Sequence, residues 1–298
     1  MTAATTATTS TADGRTLAFC EWGDPKGAPV FSLHGTPGSR VTRHPDAEVY
    51  RRAGVRAITY DRAGYGLSSR LPGRSIAHAA ADVAAIADAL GIERFAVTGG
   101  SGGAPHSLAC GALLPGRVTR CASVVGPAPF GPGGLAPEDW LRGMVEGNVR
   151  EFEWALAGED TLRPELQRDT DQLLSGMGAD EEHPFGEGYD LSPSDMEVVK
   201  RGDIHDMLDE SLRVGCGETV DGFVDDDLSI ARPWGFDPAT ITVPVAVWYG
   251  VEDTLVPVAH GEWLAKTIPG ATVVTLHGGH FAIYDRLGEL LSWLAESS

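Results

Sequence analysis

The sequence predicts an α/β fold, in which helices cover both faces of a parallel β-sheet and one helical insertion interrupts the pattern. Three observations support this prediction. Short apolar, β-branched runs alternate with helical patterns, a Gly/Pro-rich stretch ends the alternation at residues 126–137, and an acidic, helix-rich segment follows before the alternation resumes. Strands separated by helices indicate parallel pairing, because each helix provides the crossover between two strands. The length of 298 residues fits one large domain with such an insertion.

The predicted elements follow in order along the chain. Buried strands are predicted at residues 30–33, 55–60, 95–98 and 118–125. After the second strand, apolar residues recur at helical spacing: Ile76, Ala80, Val83, Ala87 and Leu90. The acidic segment also contains an amphipathic helical pattern, formed by Leu141, Val145, Val149, Phe152 and Leu156. A strand at 243–249, a helix at 257–267, a strand at 272–276 and a helix at 283–294 complete the chain.

The net charge of −19 lies in one segment. Residues 138–237 contain 27 acidic and 8 basic residues, whereas the rest of the chain contains 15 of each. We therefore divide the sequence into a disordered Thr/Ala-rich tail (1–12), a core (13–126 and 238–298) and an acidic helical cap (127–237). The charge excludes a nucleic-acid backbone or an anionic membrane surface as the ligand and disfavours strongly anionic substrates. Most cap carboxylates are expected to form a solvated outer face.

No metal, cofactor or membrane segment is predicted. The four cysteines form no C-x-x-C pair and no His/Cys pattern with metal-ligand spacing, so we expect isolated buried thiols. The first twelve residues lack the basic and apolar regions of a signal peptide, and no stretch approaches 18 apolar residues. We expect a cytoplasmic monomer or homodimer whose partner is a small-molecule substrate.

A nucleophile motif follows the third predicted strand. Gly99-Gly100-Ser101-Gly102-Gly103 fits G-x-S-x-G between a strand and a helix, the context in which a sharp turn presents the serine. The small neighbours let strand and helix approach closely, and the helix N-terminus stabilises developing negative charge. The alternative is a glycine-rich turn that binds phosphate, but neither G-K-[ST] nor a full G-x-G-x-x-G is present.

A serine nucleophile needs a base, and the base needs an acid that orients it. Asp253 follows the strand at 243–249, and His280 follows the strand at 272–276. The resulting order of serine, acid and histidine along the chain is typical of enzymes whose serine lies on a strand–turn–helix motif. His277 is the alternative base, but the two glycines before His280 allow that residue to turn toward the serine.

A turn suited to binding an oxyanion begins at His34. The sequence HGTPGSR follows the strand at 30–33, and acyl transfer needs two N–H donors aimed at the developing alkoxide. Gly102 N–H is expected to supply one donor and Thr36 N–H the other. The Thr36 hydroxyl either adds a further donor or makes a local structural bond. Gly100 and Gly102 either leave room for a bulky acyl group or ease the turn.

With these motifs the sequence resembles the α/β-hydrolase superfamily. The resemblance rests on five motifs in order: HGTPG at His34, DRAGYGLSS at Asp61, GGSGG at Gly99, YGVEDTLVP at Tyr249 and GGHF at Gly278. It implies an eight-stranded, mostly parallel sheet with a lid inserted after the sixth strand, where the acidic segment falls. It also implies that residues of the second motif brace the loop near the oxyanion turn: Asp61, Arg62, Gly64 and Gly66.

Two departures from the superfamily bear on the reaction. Many epoxide and haloalkane hydrolases of this fold have Asp where this chain has Ser101, which disfavours those activities. The HGxPG pattern resembles proline iminopeptidases, but Thr36 replaces the usual glycine and no Trp follows Ser101.

The residues and the resemblance together predict a serine hydrolase that cleaves a carboxylic ester or lactone of a small to medium organic molecule. The alternatives are an aminopeptidase of the proline iminopeptidase type, a C–C bond hydrolase and a non-enzymatic small-molecule receptor of the same fold. For the aminopeptidase, the acidic cap would hold the substrate ammonium. The candidate pocket residues lie in the oxyanion turn and the cap: His34, Gly35, Trp140, Leu141, Met144, Phe152 and Trp154.

Overall fold

The computed structural model of the chain describes residues 5–176 and 184–296. Within them, eight strands form one sheet: β1 (Ala7–Ser10), β2 (Thr16–Gly23), β3 (Ala28–Leu33), β4 (Val55–Tyr60), β5 (Phe95–Gly100), β6 (Val118–Val124), β7 (Val245–Gly250) and β8 (Thr272–Leu276). They lie side by side in the order β1-β2-β4-β3-β5-β6-β7-β8. The two pairs that involve β2 are antiparallel, and all other neighbours are parallel. The predicted mostly parallel, eight-stranded sheet is therefore confirmed.

Adjacent side chains along the central strands enter two different apolar cores, because the side chains of a strand alternate between its faces. One core receives Phe31, Ile58, Val97 and Val247. The other receives the residues directly before them, Val30, Ala57, Ala96 and Ala246. Both sets are buried, which explains why these strands appear in the sequence as continuous apolar runs.

Helices cover each face of the sheet. The first core is completed by α2 (Ala79–Ala89), α3 (Ala104–Leu113) and α10 (Val258–Thr267), and the second by α1 (Glu48–Arg52) and α11 (Ile283–Ala295). The described part of the cap between β6 and β7 contains six helices: α4 (Pro137–Trp140), α5 (Glu146–Ala157), α6 (Glu159–Gly176), α7 (Pro193–Val199), α8 (Gly202–Cys216) and α9 (Asp221–Ile230). None of the described helices is long and apolar enough to cross a bilayer.

The N-terminal segment differs from the sequence-based expectation. Residues 1–12 were expected to be disordered, but Ala7–Ser10 form β1, which pairs with β2 from Ala7 opposite Phe19 to Ser10 opposite Thr16. This four-residue edge strand is mostly exposed, so its Thr/Ala composition shows no alternation of apolar and polar residues. Residues 1–4 lie outside the described part of the chain. The sheet thus begins earlier than the apolar pattern indicates.

Candidate active site

Ser101 follows β5 in a backbone conformation that favours glycine. Its φ is 53°, in the left-handed region, and Ser101–Gly103 form a 3-10 turn before α3 begins. A Cβ atom at Gly99 would overlap the carbonyl group of Gly103, and one at Gly103 would overlap the carbonyl oxygens of Leu33 and His34. Glycine at these two positions therefore allows strand, turn and helix to approach closely and leaves Ser101 at the carboxyl edge of the sheet.

The two glycines next to Ser101 have different surroundings. A Cβ atom at Gly102 would overlap the Thr36 hydroxyl, so the glycine permits close approach of the two loops. A Cβ atom at Gly100 would have no atom within 4 Å. The sequence left open whether these glycines ease the turn or leave room for an acyl group. Gly102 permits the close contact of the turn, and Gly100 leaves free space.

His280 and Asp253 form a hydrogen-bonded pair at the ends of β8 and β7. Asp253 Oδ2 lies 2.8 Å from His280 Nδ1. The other oxygen, Oδ1, accepts from the backbone N–H groups of Leu255 (2.9 Å) and Val256 (2.8 Å). The carboxylate is thereby fixed to accept the Nδ1 proton, which leaves Nε2 of the neutral ring as the basic nitrogen. His277, the alternative base, is exposed.

The environment of His280 strengthens it as a base. Burial disfavours the imidazolium, but the charge of Asp253 and its hydrogen bond outweigh burial, and the charge of Asp195 adds to their effect. The pKa of His280 therefore lies above its ordinary value. A stronger base accepts the proton of a serine hydroxyl more readily.

The turn at His34–Thr36 lies against Ser101. A Cβ atom at Gly35 would be 3.4 Å from Ser101 Cβ, and one at Gly102 would be 3.2 Å from Thr36 N. The predicted oxyanion donors, Thr36 N–H and Gly102 N–H, are therefore neighbours beside Ser101. The Thr36 hydroxyl donates to Asp226 Oδ2 at 2.7 Å, so it makes a structural bond.

Asp226, on α9 of the cap, forms the centre of a buried ion cluster beside this turn. Its carboxylate accepts from Thr36 Oγ1 (2.7 Å), Arg62 Nη2 (2.5 Å), Arg74 Nη2 (2.6 Å) and Tyr65 Oη (2.9 Å). Burial alone would raise the pKa of Asp226, but the charges of Arg62 and Arg74 outweigh burial and hold that pKa well below its usual value. The cluster fixes the cap to the core next to Ser101.

Arg62 and Asp61 form hydrogen bonds that hold the loop from His34 to Arg40, as the family resemblance implied. Arg62 donates to the carbonyl oxygens of His34 and Gly35, the latter at 2.8 Å. Asp61 is fully buried and accepts from the backbone N–H and the guanidinium of Arg40, both at 2.6 Å. These bonds determine where the backbone of the turn lies.

His106 lies near Ser101 in sequence but has a different position. It is buried on α3, where Nδ1 lies 2.9 Å from the carbonyl oxygen of Gly102 and Nε2 lies 3.4 Å from Arg74 Nη1. Burial and the charge of Arg62 lower the pKa of His106 to about 3, so its ring is neutral at ordinary pH. A neutral ring can donate to Gly102 and accept from Arg74, and thus supports the turn after Ser101.

Comparison with known proteins identifies the family. The family model described as alpha/beta hydrolase fold matches residues 28–287. The chain belongs to the α/β-hydrolase fold family. It is 31% identical over 276 residues to a non-heme chloroperoxidase of Streptomyces lividans, covering 91% of each chain. A proline iminopeptidase of Xylella fastidiosa is 33% identical over 115 residues, 36% of this chain and 35% of that protein. The solved enol-lactonase of Burkholderia xenovorans LB400 superposes with a TM-score of 0.67 at 20% identity, covering 96% of this chain and 97% of that one.

This α/β-hydrolase has a cavity of about 360 Å³ between core and cap, lined by Ser101, His280, Thr36 and Gly102. Five of the predicted pocket residues line it: His34, Gly35, Trp140, Met144 and Phe152. Leu141 and Trp154, also predicted, do not. Leu141 packs on the first core, and Trp154 packs on the apolar cluster of α6 and α9 with the Arg150 guanidinium 5.5 Å from its ring. The sequence analysis missed other lining residues, among them Phe185, Tyr189, Leu212, Phe223 and Leu255.

Three successive aspartates of α9 have three different environments. Asp225 forms a bidentate pair with Arg70, with both N–O distances at 2.9 Å. Asp226 belongs to the ion cluster, and Asp227 lines the cavity. All three are buried, in contrast to the solvated outer face expected for most cap acids. Successive side chains of an α-helix point about 100° apart, so three successive aspartates cannot all lie on one solvated face. This was the feature of the sequence that could have indicated their different environments.

Glu151 and Asp227 place two acidic side chains on the cavity wall. Asp227 is 1% exposed, and its Oδ2 has no hydrogen-bond partner among the described residues. Glu151 accepts from the Tyr189 hydroxyl at 2.9 Å. Burial raises the pKa of Glu151 to about 7, and burial together with the charge of Glu151 raises that of Asp227 well above its usual value. The α/β-hydrolase cavity therefore combines apolar walls with an acidic patch in the cap.

Proposed function

We propose that this α/β-hydrolase cleaves carboxylic esters or lactones through an acyl-enzyme formed on Ser101. The observation that carries the proposal is that Ser101 and His280 line the same cavity and that Asp253 is hydrogen-bonded to His280. A serine on such a turn, a histidine with a raised pKa and an acid that fixes its tautomer are the parts that acyl transfer needs.

In the proposed reaction, His280 Nε2 takes the hydroxyl proton of Ser101 as Oγ attacks the carbonyl carbon. The N–H groups of Thr36 and Gly102 stabilise the resulting oxyanion, and Asp253 stabilises the imidazolium. His280 then protonates the leaving alkoxide oxygen. Water, deprotonated by His280, attacks the acyl carbon and releases the acid and free Ser101. An ester thus yields an acid and an alcohol, and a lactone yields a hydroxy acid.

The cavity favours neutral substrates of medium size. Its volume of about 360 Å³ is near the lower end of small-molecule pockets, and aromatic and aliphatic side chains form most of its wall. Glu151 and Asp227 would repel a substrate carboxylate or phosphate when ionised. The free space beside Gly100 leaves room for a substituent near the acyl carbon.

The test compares wild type with Ser101→Ala on p-nitrophenyl esters of increasing acyl length and on aliphatic lactones. We expect the variant to lose kcat by a factor of at least about 10³. Ser123→Ala is a matched control, because Ser123 is buried with a hydroxyl that has no partner among the described residues. This control should retain full activity. Equal hydrolysis by wild type and Ser101→Ala would refute the mechanism.

Glu151 and Asp227 favour a second candidate, an aminopeptidase of the proline iminopeptidase type. Two carboxylates in the cavity wall, one with an unpartnered oxygen, offer acceptors for the ammonium group of an N-terminal residue. The assay compares aminoacyl p-nitroanilides with their N-acetylated forms, using Glu151→Gln and Asp227→Asn beside wild type. Cleavage of only the free amines, lost in both variants, would favour this candidate over the esterase. Cleavage of esters without anilide cleavage would exclude it.

A further inference from the structure

The loop that holds His280 is bound by the first turn of cap helix α7. Three successive backbone N–H groups of this loop donate to that turn. Gly279 N–H donates to Ser194 Oγ at 3.2 Å, His280 N–H to Asp195 Oδ2 at 2.9 Å, and Phe281 N–H to Asp195 Oδ1 at 2.7 Å. One carboxylate of the cap thus accepts from the backbone of the candidate base and of the residue after it.

Asp195 is fully buried and is stabilised by dipoles rather than by a cation. Its relative exposure is 0%, and no Lys or Arg within residues 5–176 and 184–296 forms a salt bridge with it. Instead, Oδ2 also accepts from the Ser192 hydroxyl at 2.9 Å, and Asp195 lies in the first turn of α7, where the helix dipole favours negative charge. A buried carboxylate needs such donors, so these contacts fix its position.

The loop at Gly279 and the first turn of α7 pack without space for a side chain between them. A Cβ atom at Gly279 would overlap Asp195 Oδ2 and would come within 2.6 Å of Ser192 Oγ. On its other side, Ser194 donates to Glu252 Oε2 at 2.7 Å, next to Asp253. The start of α7 therefore contacts both the loop of the candidate base and the loop of the candidate acid.

We propose that Asp195 is a positioning residue for His280, so that the cap forms part of the catalytic machinery as well as the pocket wall. The proposal rests on the proposed serine-hydrolase function. By accepting from two adjacent N–H groups, Asp195 holds the backbone from which the imidazole projects toward Ser101. Its negative charge also stabilises the imidazolium that forms when Ser101 attacks.

The charge of Asp195 gives the proposal a signature in the pH profile. The titratable groups that face His280 are Asp253 from the loop after β7 and Asp195 from α7, with Glu252 and His260 near this pair. Loss of the Asp195 charge lowers the pKa of His280, because one group that stabilises the imidazolium is removed. The base is active when neutral, so the acid limb of the rate profile moves to lower pH.

The experiment measures the second-order rate of Ser101 labelling by a fluorophosphonate from pH 5 to pH 9. In this reaction Oγ attacks phosphorus, fluoride leaves, and His280 takes the proton, so no ester substrate is needed. Asp195→Asn should label about tenfold or more slowly at neutral pH, with the acid limb at lower pH. Asp206→Asn is the control, because it removes one exposed negative charge from α8 of the same cap. It should match wild type.

The outcomes separate the two proposals. If wild type is not labelled at Ser101, the proposed function fails. If wild type is labelled and Asp195→Asn has the same rate and the same acid limb, the role of Asp195 is refuted. A slower rate with an unshifted limb, explained in full by a smaller folded fraction in circular dichroism, would assign Asp195 to folding alone and equally overturn the proposal. Should Asp195→Asn not fold, Ser194→Ala decides: slower labelling at unchanged melting temperature supports the positioning by α7, and an unchanged rate refutes it.

Discussion

Asp226 joins the cap to the turn at His34–Thr36. It binds the hydroxyl of Thr36 and two arginines of the core, and its carboxylate and both guanidinium groups are buried. Removing one partner of a buried ion pair is costly, since the remaining charge has neither water nor counter-ion. Here two guanidinium groups would lose that counter-ion together.

Asp226→Asn should therefore lower the free energy of unfolding by about 3–5 kcal/mol and slow ester cleavage, because the turn at Thr36 loses its anchor. Urea denaturation and kcat on a p-nitrophenyl ester measure the two effects. Glu289→Gln makes the same chemical change in an exposed pair, where Glu289 lies 2.6 Å from Arg286. Solvent screening limits its cost to less than about 0.5 kcal/mol. Comparable losses in both variants would contradict this account.

The sequence predicted the positions of Ser101, Asp253 and His280 through local patterns: each follows a strand, and the glycines around them mark sharp turns. The fold brings these positions to one edge of the sheet, while their catalytic roles stay predictions. The partner of Thr36 was not predictable in this way. Thr36 and Asp226 are 190 positions apart, and no spacing rule connects a threonine in a core loop with one of three successive aspartates in a cap helix.

At the level of elements, the six strands from β3 to β8 were predicted well, but β2 was missed although its residues from Leu17 to Cys20 are buried. The cap helices were predicted less well. Apolar periodicity from Leu141 to Leu156 suggested one amphipathic helix, but α4 ends at Trp140 and α5 begins at Glu146. Gly143 has a φ of 87° between them, which no α-helix permits. Val145 and Phe152 are buried, but Leu156 is 48% exposed. The periodicity was therefore only partly correct about burial and wrong about continuity.

The contact between α7 and the loop after β8 predicts that an added methyl group is harmful at Gly279, which lies in the contact, and harmless at Gly288, which lies outside it. Gly279→Ala should reduce kcat/KM at least about tenfold, because the added methyl group meets the carboxylate of Asp195. Gly288→Ala, on the exposed side of α11 with no atom within 4 Å of the new methyl group, should keep activity and gain up to about 1 kcal/mol of stability. Thermal unfolding and ester kinetics check both. An active, stable Gly279→Ala would show that the loop tolerates displacement.

At the scale of the whole molecule, the acidic surplus of the cap has two locations. Many of its carboxylates are exposed, as expected, but Glu151, Asp195 and the triplet of α9 lie inside or against the core. Composition alone gives the sum of these charges. It cannot give their depth, which depends on the arginines of the core and on the shape of the cavity.

Buried acids make stability depend on pH, and Glu151 gives a measurable case. Its pKa is about 7 in the fold against an ordinary 4.5, so its contribution to stability is present below the unfolded pKa and is lost as pH rises toward 7. Glu151→Gln removes this loss. Relative to wild type, the free energy of unfolding of the variant should rise by at most about 3 kcal/mol between pH 5 and pH 8, as measured by urea unfolding. Glu153→Gln, an exposed neighbour on α5, should show no such gain.

The hydrogen bonds that Asp195 and Asp226 accept from core residues also limit how this scaffold can be re-engineered. One way to change the substrate range of such a scaffold is to replace its cap with the cap of a relative. In this chain, a transplanted segment in place of residues 127–237 would leave the N–H groups of His280 and Phe281 without acceptors and two core guanidinium groups without a counter-ion. A working chimera must therefore inherit a carboxylate at both places, whatever pocket it is meant to introduce.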